Sequence, residues 1–131
     1  MIFTLPFTPI AADIDELGHV NNAVWVRWIQ DIATAHWEAQ ADPAHVAQFV
    51  WMVTRHEIDY RGNVKLGEEV TGKTFIEKPP RGARFDRRVD FLNQQGKVIV
   101  SANSTWAMLD KETQRPMRVR EEVWGPFLSD D

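Results

Sequence analysis

Ten positions near the N-terminus, residues 13–22, combine carboxylate, imidazole and carboxamide side chains with a glycine. The acids are Asp13, Asp15 and Glu16, of which the two aspartates are the candidates for chemistry, and a segment of periodic apolar residues begins directly after Asn22. A carboxylate beside the unpaired N–H groups of a helix start is the minimum needed to hydrolyse an activated acyl group. The amides would stabilise the developing oxyanion, while the carboxylate would attack the acyl carbon or deprotonate a water molecule.

These residues also have an interpretation without catalysis. Acids near a helix N-terminus are favoured by the helix dipole, and Asx residues in turns often bond only the local backbone. Chemistry is favoured at these two acids because Gly18 and His19 lie between them and the helix start, where backbone N–H groups are unpaired. His19 could orient substrate or water, polarise a carbonyl, or bond only to the loop backbone. Asn21 or Asn22 can cap the helix through its carboxamide oxygen.

The segment from Asn22 to about Gln40 has the periodicity of an amphipathic helix. Its apolar positions recur at spacings of three and four, and they are Trp25, Trp28, Ile29, Ile32, Ala33, His36 and Trp37. This face is too large to leave in water, so other elements must cover it. His36 lies on that face and is interpreted as a core or interface histidine.

After the helix the apolar period changes to two, which is typical of β-strands. Strands are predicted at about residues 50–60, 68–78, 83–91 and 97–109, with turns rich in Gly or Pro between them. An edge strand or extended lead-in is predicted at residues 2–10, which contain two prolines. One strand, one long helix and four strands in consecutive hairpins indicate an α+β fold with one antiparallel sheet.

The composition limits the function classes. A net charge of −4 argues against a dedicated nucleic-acid binder, and the chain has no cysteine for a disulfide, a thiolate nucleophile or a thiolate metal site. Four scattered histidines lack the spacing of a metal site, and no phosphate-binding glycine motif is present. With no signal peptide and no apolar run of membrane-spanning length, we expect a cytoplasmic protein without membrane association.

The chain contains one basic cluster, which runs from Lys78 to Arg88. Within it, Arg81 and Arg84 lie at a predicted turn between strands and could hold a phosphate-bearing ligand. The commoner explanation is an edge strand protected by charge. Arg84 and Arg88 lie on one face of their strand and Arg87 on the other, so only part of the cluster can serve one ligand.

Residues 13–28, whose sequence is DIDELGHVNNAVWVRW, closely resemble the D-x-D-x-x-G-H-V-N-N-x-x-Y signature of the 4-hydroxybenzoyl-CoA thioesterase-like family. The segments HEIDYR at 56–61 and GEEV at 67–70 resemble later motifs of that family more weakly. The resemblance covers about residues 3–110 and implies a hotdog fold, in which an antiparallel sheet wraps around one long central helix. The 131-residue chain would form a single domain, with residues 111–131 as a polar tail.

By position, the resemblance implies that Asp15 is the catalytic acid, and it leaves Asp13 a structural role. It places the carbonyl-polarising backbone amide at about Asn22. His19 and Asn21 match positions that line the cleft.

The resemblance also implies binding positions for the substrate. Trp25 stands at the family's aromatic helix position, where Tyr is usual, and Arg81 to Arg84 match the corner that meets coenzyme A. Family members are homodimers or homotetramers whose sheets join edge to edge, with the active site at the subunit interface. A partner would thus help to cover the heavy helix face.

The resulting hypothesis is a cofactor-independent, metal-independent thioesterase that hydrolyses acyl-CoA. Asp15 would act as nucleophile or general base. Three alternatives stay open: a thioesterase for acyl-carrier protein, a non-hydrolytic acyl-CoA binder, and a dehydratase that uses His36.

Overall fold

The computed structural model describes residues 1–128. The strands are β1 (Phe3–Phe7), β2 (Phe49–Tyr60), β3 (Val70–Phe75), β4 (Arg84–Leu92) and β5 (Val98–Asp110). The helices are α1 (Asn22–Gln40), α2 (Pro43–Gln48) and α3 (Glu121–Trp124), and short 3₁₀ turns occupy Ala11–Asp13 and Gly125–Phe127. The predicted α+β class and the long helix with its bounds are confirmed, whereas α2 lies in a segment that was predicted to be only a connector.

The five strands form one antiparallel sheet in the order β1-β3-β4-β5-β2. The prediction of four consecutive hairpins is therefore wrong for β2, which pairs with β5 at the sheet edge and not with β3. Crossing three strand spacings of about 4.8 Å takes roughly 14 Å, and the nine-residue connection 61–69 can span up to about 30 Å. The connection is therefore long enough to let β2 lie beside β5 instead of forming a hairpin with β3.

Helix α1 packs its apolar face on one face of the sheet. Trp25, Ile29 and Ile32 are each 0% exposed within the single chain. The first half of the helix belongs to a core cluster that also contains Val70, Phe91 and Val100 from three strands, together with Val20, Val24, Trp28, Val64, Val89, Ile99 and Ala102. A partner is therefore not needed to cover the helix, contrary to the expectation from the sequence.

A second core cluster lies at the other half of α1. It joins Trp37 to residues from β2, β4 and β5 and to the segment after the last strand. The predicted end of the core at about residue 110 is too early, because Val119, Val123 and Phe127 are 3%, 3% and 2% exposed. Their apolar side chains close the end of the sheet over the C-terminal half of α1.

Candidate active site at the N-terminus of the long helix

Asp15 organises a tight loop immediately before α1. Its Oδ1 accepts hydrogen bonds from the N–H groups of Leu17 (2.9 Å) and His19 (3.2 Å). Its own N–H donates to the carbonyl of His19 at 2.8 Å, and Gly18, at φ +77°, donates to the carbonyl of Asp15. Oδ2 has no hydrogen-bond partner within residues 1–128. One carboxylate oxygen thus fixes the loop, and the other stays available for chemistry.

Asp13 differs from Asp15 although it lies only two positions away. Its side chain is 6% exposed, and both carboxylate oxygens are engaged. Oδ2 accepts from the N–H of Ile10 at 3.0 Å, and Oδ1 pairs with Arg27 at 2.9 Å. The hydrogen bond from Ile10, followed by the contact with Arg27, lowers the pKa of Asp13 against the opposing effect of burial. The structure therefore places Asp13 as an anchor between the loop and α1.

At the start of α1, one backbone donor has no acceptor among residues 1–128. Asn21 is the N-cap, and its Oδ1 accepts from the N–H of Ala23 at 2.9 Å, while its carbonyl accepts from Val24. The N–H of Asn22, the first helical residue, has no acceptor in the part of the chain that the structure describes. Asn22 is an exposed residue at the positive end of a 19-residue helix, where an oxyanion is favoured.

The side chain of Asn63 holds the loop against the sheet end, and sequence reasoning gave it no role. Its Oδ1 accepts from Val20 N–H (3.1 Å) and Val64 N–H (2.8 Å), and its Nδ2 donates to the Val20 carbonyl (3.1 Å). These bonds fix the position of Val20, which directly follows His19. The contact joins residues 43 positions apart, so no local sequence pattern indicated it.

Two predicted residues of the cleft have different environments. His19 is half-buried, and its imidazole makes no hydrogen bond to another described residue, so it is free to meet a ligand. Trp25 is 0% exposed and packs edge to face on Trp28, at 5.1 Å between ring centroids. The predicted substrate contact of Trp25 is not supported, because the ring is enclosed by the core.

The structure does not bring Arg81 and Arg84 to Asp15 within one chain. They lie at the β3–β4 turn, beside the cluster that contains Trp37, whereas the Asp15 loop joins the cluster that contains Trp25. The two tryptophans are about 18 Å apart along the helix axis. A common site of the loop and the turn would need a second subunit.

Two of the five basic residues in the cluster, Arg81 and Arg88, are paired with acids of the same chain. Arg81 makes a two-pronged contact with Asp86 at 2.7 and 3.3 Å, which raises the pKa of Arg81 and lowers that of Asp86. Arg88 contacts Asp90 at 3.4 Å, with Glu77 at 3.9 Å. Arg84 is exposed and has no ion pair among residues 1–128, so it is the better candidate to meet an anionic substrate group.

Of two other histidines, His36 is buried and His56 is half-buried. His36 is 0% exposed and stacks on Phe3, and burial together with the charge of Arg87 lowers its pKa to about 3. This confirms the interpretation of His36 as a core histidine and gives no support to a dehydratase base. His56 lies 2.6 Å (Nδ1 to Oγ) from Ser104, a pair that sequence reasoning missed, but Ser104 is only 1% exposed. Burial lowers the pKa of His56.

No group of three or more potential metal ligands occurs among the described residues. None of the helices in residues 1–128 has the length and apolar character that crossing a bilayer would require. What the geometry offers is a free carboxylate oxygen and an imidazole in one loop that leads into a helix start with an unpaired N–H. These groups suit attack on, or water activation at, a polarised carbonyl.

The family model for the acyl-ACP thioesterase N-terminal domain matches residues 3–127. An acyl-ACP thioesterase from Bacteroides thetaiotaomicron superposes with a TM-score of 0.84 and 21% identity, over 99% of this chain and 54% of that one. The present chain therefore spans about half of that enzyme. No curated protein sequence matches significantly.

Two other solved structures show the same architecture. DHNA-CoA thioesterase from Staphylococcus aureus gives a TM-score of 0.79 at 16% identity, covering 90% of this chain and 80% of that one. A thioesterase from Thermus thermophilus complexed with coenzyme A and Zn gives 0.81 at 20% identity, covering 96% and 97%. The predicted hotdog fold is confirmed, and the narrower 4-hydroxybenzoyl-CoA thioesterase-like assignment stays a prediction.

Proposed function

This chain belongs to the acyl-ACP thioesterase N-terminal domain family, and on that premise we propose that it hydrolyses acyl-CoA thioesters to the free acid and coenzyme A. The observation that carries the proposal is the split role of the Asp15 carboxylate, which holds the loop with Oδ1 and leaves Oδ2 free. The thioester carbonyl would lie between that oxygen and the N–H of Asn22, which would stabilise the oxyanion. His19 would orient the substrate or the attacking water.

The structure permits a substitution that separates chemistry from loop conformation. In Asp15→Asn, the carboxamide oxygen can still accept from Leu17 and His19, and only the free oxygen is replaced by an NH₂ group. We expect kcat to fall by about 10²–10⁴-fold, the usual contribution of a positioned base, with circular dichroism and thermal unfolding unchanged. The matched control is Glu16→Gln, which removes an exposed acid of the same loop and should keep wild-type turnover.

The substrates for this test are acyl-CoA thioesters of aromatic and of short to long aliphatic acids, with release of coenzyme A as the readout. Wild-type kcat in Asp15→Asn on the best of these thioesters would overturn the assignment of Asp15. Saturable binding of acyl-CoA by the wild-type chain without any release would indicate the non-hydrolytic acyl-CoA binder instead.

The second candidate function is hydrolysis of acyl groups on acyl-carrier protein, which the description of the matching family favours. The charge distribution argues against docking of an acidic carrier protein, because the net charge is −4 and Arg81 and Arg88 are already paired with acids. An acidic carrier protein would need a free basic face for docking. Comparing kcat/KM for the same acyl group on the two donors decides between them.

We also propose that the working unit is a homodimer joined through β2. This twelve-residue strand is an outer edge of the sheet, and Val50 and Met52 on it are 41% and 51% exposed. A long, partly apolar edge strand is a template for pairing with a second strand. Antiparallel pairing of two β2 strands would make the helices antiparallel as well, so the Asp15 loop of one chain would approach the Arg84 turn of the other.

Subunit complementation tests this arrangement. Asp15→Asn and Arg84→Ala chains are each assayed alone and then mixed after reversible unfolding. If the site is shared, turnover recovers to about a quarter of wild type, because half of the dimers are mixed and each mixed dimer holds one intact site. No recovery, or a monomer in analytical ultracentrifugation, would contradict the shared site.

A further inference from the structure

Arg87 is a buried cation without a compensating acid in the described chain. It lies on the face of β4 that packs against α1, and the residue is 9% exposed. Its Nη1 donates to Thr74 Oγ1 at 2.9 Å and to His36 Nδ1 at 2.8 Å. Residues 1–128 place no carboxylate within 4.0 Å of its guanidinium.

Both partners of Arg87 are uncharged. Since a guanidinium only donates, His36 Nδ1 accepts, and the imidazole is neutral because burial lowers its pKa to about 3. Burial also lowers the pKa of Arg87, to about 10, so the guanidinium remains protonated at neutral pH. A buried ion pair that loses one partner leaves an uncompensated charge, which is strongly destabilising. Arg87 is in this situation in the native structure, because no described acid pairs with it.

Arg87 lines a cavity of about 230 Å³ beside the C-terminal half of α1. The walls are mostly apolar or aromatic, and they include Trp37, Val46, Phe49, Trp51, Ile76, Phe85, Trp106 and Phe127. The two other charged residues at the cavity, Glu38 and Lys111, are exposed. The indole N–H groups of Trp51 and Trp106 are buried and have no acceptor in the described chain. The buried polar groups of the walls are therefore donors, and the missing component is an acceptor with negative charge.

We propose that this cavity binds a small apolar carboxylic acid, with its carboxylate on Arg87 and its hydrocarbon body between Trp37, Phe85 and Phe127. The carboxylate supplies the charge that Arg87 lacks, and a guanidinium matches its planar geometry. The apolar walls favour a hydrocarbon body and disfavour a strongly hydrated phosphate. The volume is slightly below the roughly 300–1,000 Å³ of drug-sized pockets, which suits a small acid.

This proposal does not depend on the thioesterase hypothesis. The cavity is built around the second half of α1, away from the Asp15 loop of the same chain. Binding of a free acid needs no hydrolysis, so the Asp15→Asn protein should bind the acid as the wild type does. Loss of turnover in Asp15→Asn would support the catalytic role of Asp15. Unchanged acid binding in the same variant would show that the site at Arg87 is separate from it.

Isothermal titration calorimetry with octanoate and decanoate, and with the corresponding neutral amides, tests the site. We expect saturable binding of the acids and at least about tenfold weaker binding of the amides, because the amides cannot compensate the charge of Arg87. The variant Arg87→Met should lose the preference for the acid, and Arg87→Lys should retain part of it. The control is Arg88→Met on the outer face of the same strand, which should leave acid binding unchanged.

A second variant keeps the test independent of the buried charge. Ala33→Leu would fill part of the cavity from α1 and should weaken acids and amides alike by a similar factor. Thermal unfolding must show that each variant is folded, and if Arg87→Met is not, Arg87→Lys and Ala33→Leu carry the test.

Three results would overturn the proposal. The first is no saturable binding of either acid by the wild type, and the second is equal affinity for acid and amide. The third concerns Asp130 and Asp131, which lie outside the described residues. Acid binding that appears only after both are changed to Asn would assign the cavity to the chain's own tail.

Discussion

The hydrogen bonds of the Asn63 side chain to Val20 and Val64 predict that replacing Asn63 lowers activity, although Asn63 need not touch the substrate. Asn63→Ala removes three hydrogen bonds, two to Val20 and one to Val64 N–H. At about 1 kcal/mol each, their sum is about 3 kcal/mol. Val20 N–H keeps its longer bond to the Val64 carbonyl at 3.3 Å, so we expect a net loss near 2 kcal/mol.

This loss would lower the urea midpoint by about 1 M for a slope of about 2 kcal/mol per molar. The effect on turnover should exceed the effect on binding, because Val20 continues directly from the loop that holds Asp15 and His19. A displacement of about 1 Å at a reacting group can cost about 10²-fold, so kcat should fall by about 10- to 100-fold with a smaller change in KM.

The matched control is Asn93→Ala in the turn between β4 and β5. Asn93 Oδ1 accepts from the N–H groups of Gln95 and Lys97, both at 3.0 Å, so its loss removes the same kind of bond elsewhere. This variant should lose stability but keep kcat. If Asn63→Ala lost stability and kept wild-type kcat, the inference that Asn63 positions the catalytic loop would be refuted.

Two further predictions concern the packing of α1 on the sheet. In Gly72→Ala the new Cβ would lie 2.9 Å from Ile32 Cδ1 and 3.0 Å from Phe7 Cε2, so urea unfolding should show a loss of about 1–3 kcal/mol, and a variant as stable as wild type would contradict this packing. Because the pKa of His36 falls to about 3 on folding, its contribution to stability is complete above pH about 6.5 and declines toward pH 3 by up to about 1.4 kcal/mol per unit. His36→Gln should flatten the pH dependence of the unfolding free energy over this range, and an unchanged slope would refute the assignment.

The parts of the fold that the sequence predicted are those set by local periodicity. The bounds of α1 follow from spacings of three and four, and its start follows from the capping group of Asn21. The opposite orientations of Arg87 and of Arg84 and Arg88 follow from the alternation of side chains along β4. Each of these features depends on residues within one element.

The features that the sequence did not predict depend on pairing between distant segments. Placing β2 beside β5 joins Phe49 to Asp110, and no local signal distinguishes that arrangement from a hairpin with β3. The contact of Asn63 with Val20 spans 43 positions. The packing of Val119 and Phe127 was also missed, because isolated apolar residues in a polar segment have no period to detect.

The different roles of Asp13 and Asp15 also depend on contacts between distant segments. The two residues have identical side chains two positions apart, and either could be an N-terminal acid or a catalytic one. Asp13 has both oxygens occupied because Arg27 lies 14 positions along the chain, on the first turns of α1, and the N–H of Ile10 faces the other oxygen. Among residues 1–128, Asp15 forms hydrogen bonds only within its own five-residue loop, and these bonds engage one carboxylate oxygen and not the other. Among residues 1–128, the carboxylate oxygen without a partner therefore belongs to Asp15, because the longer-range contacts are made by Asp13.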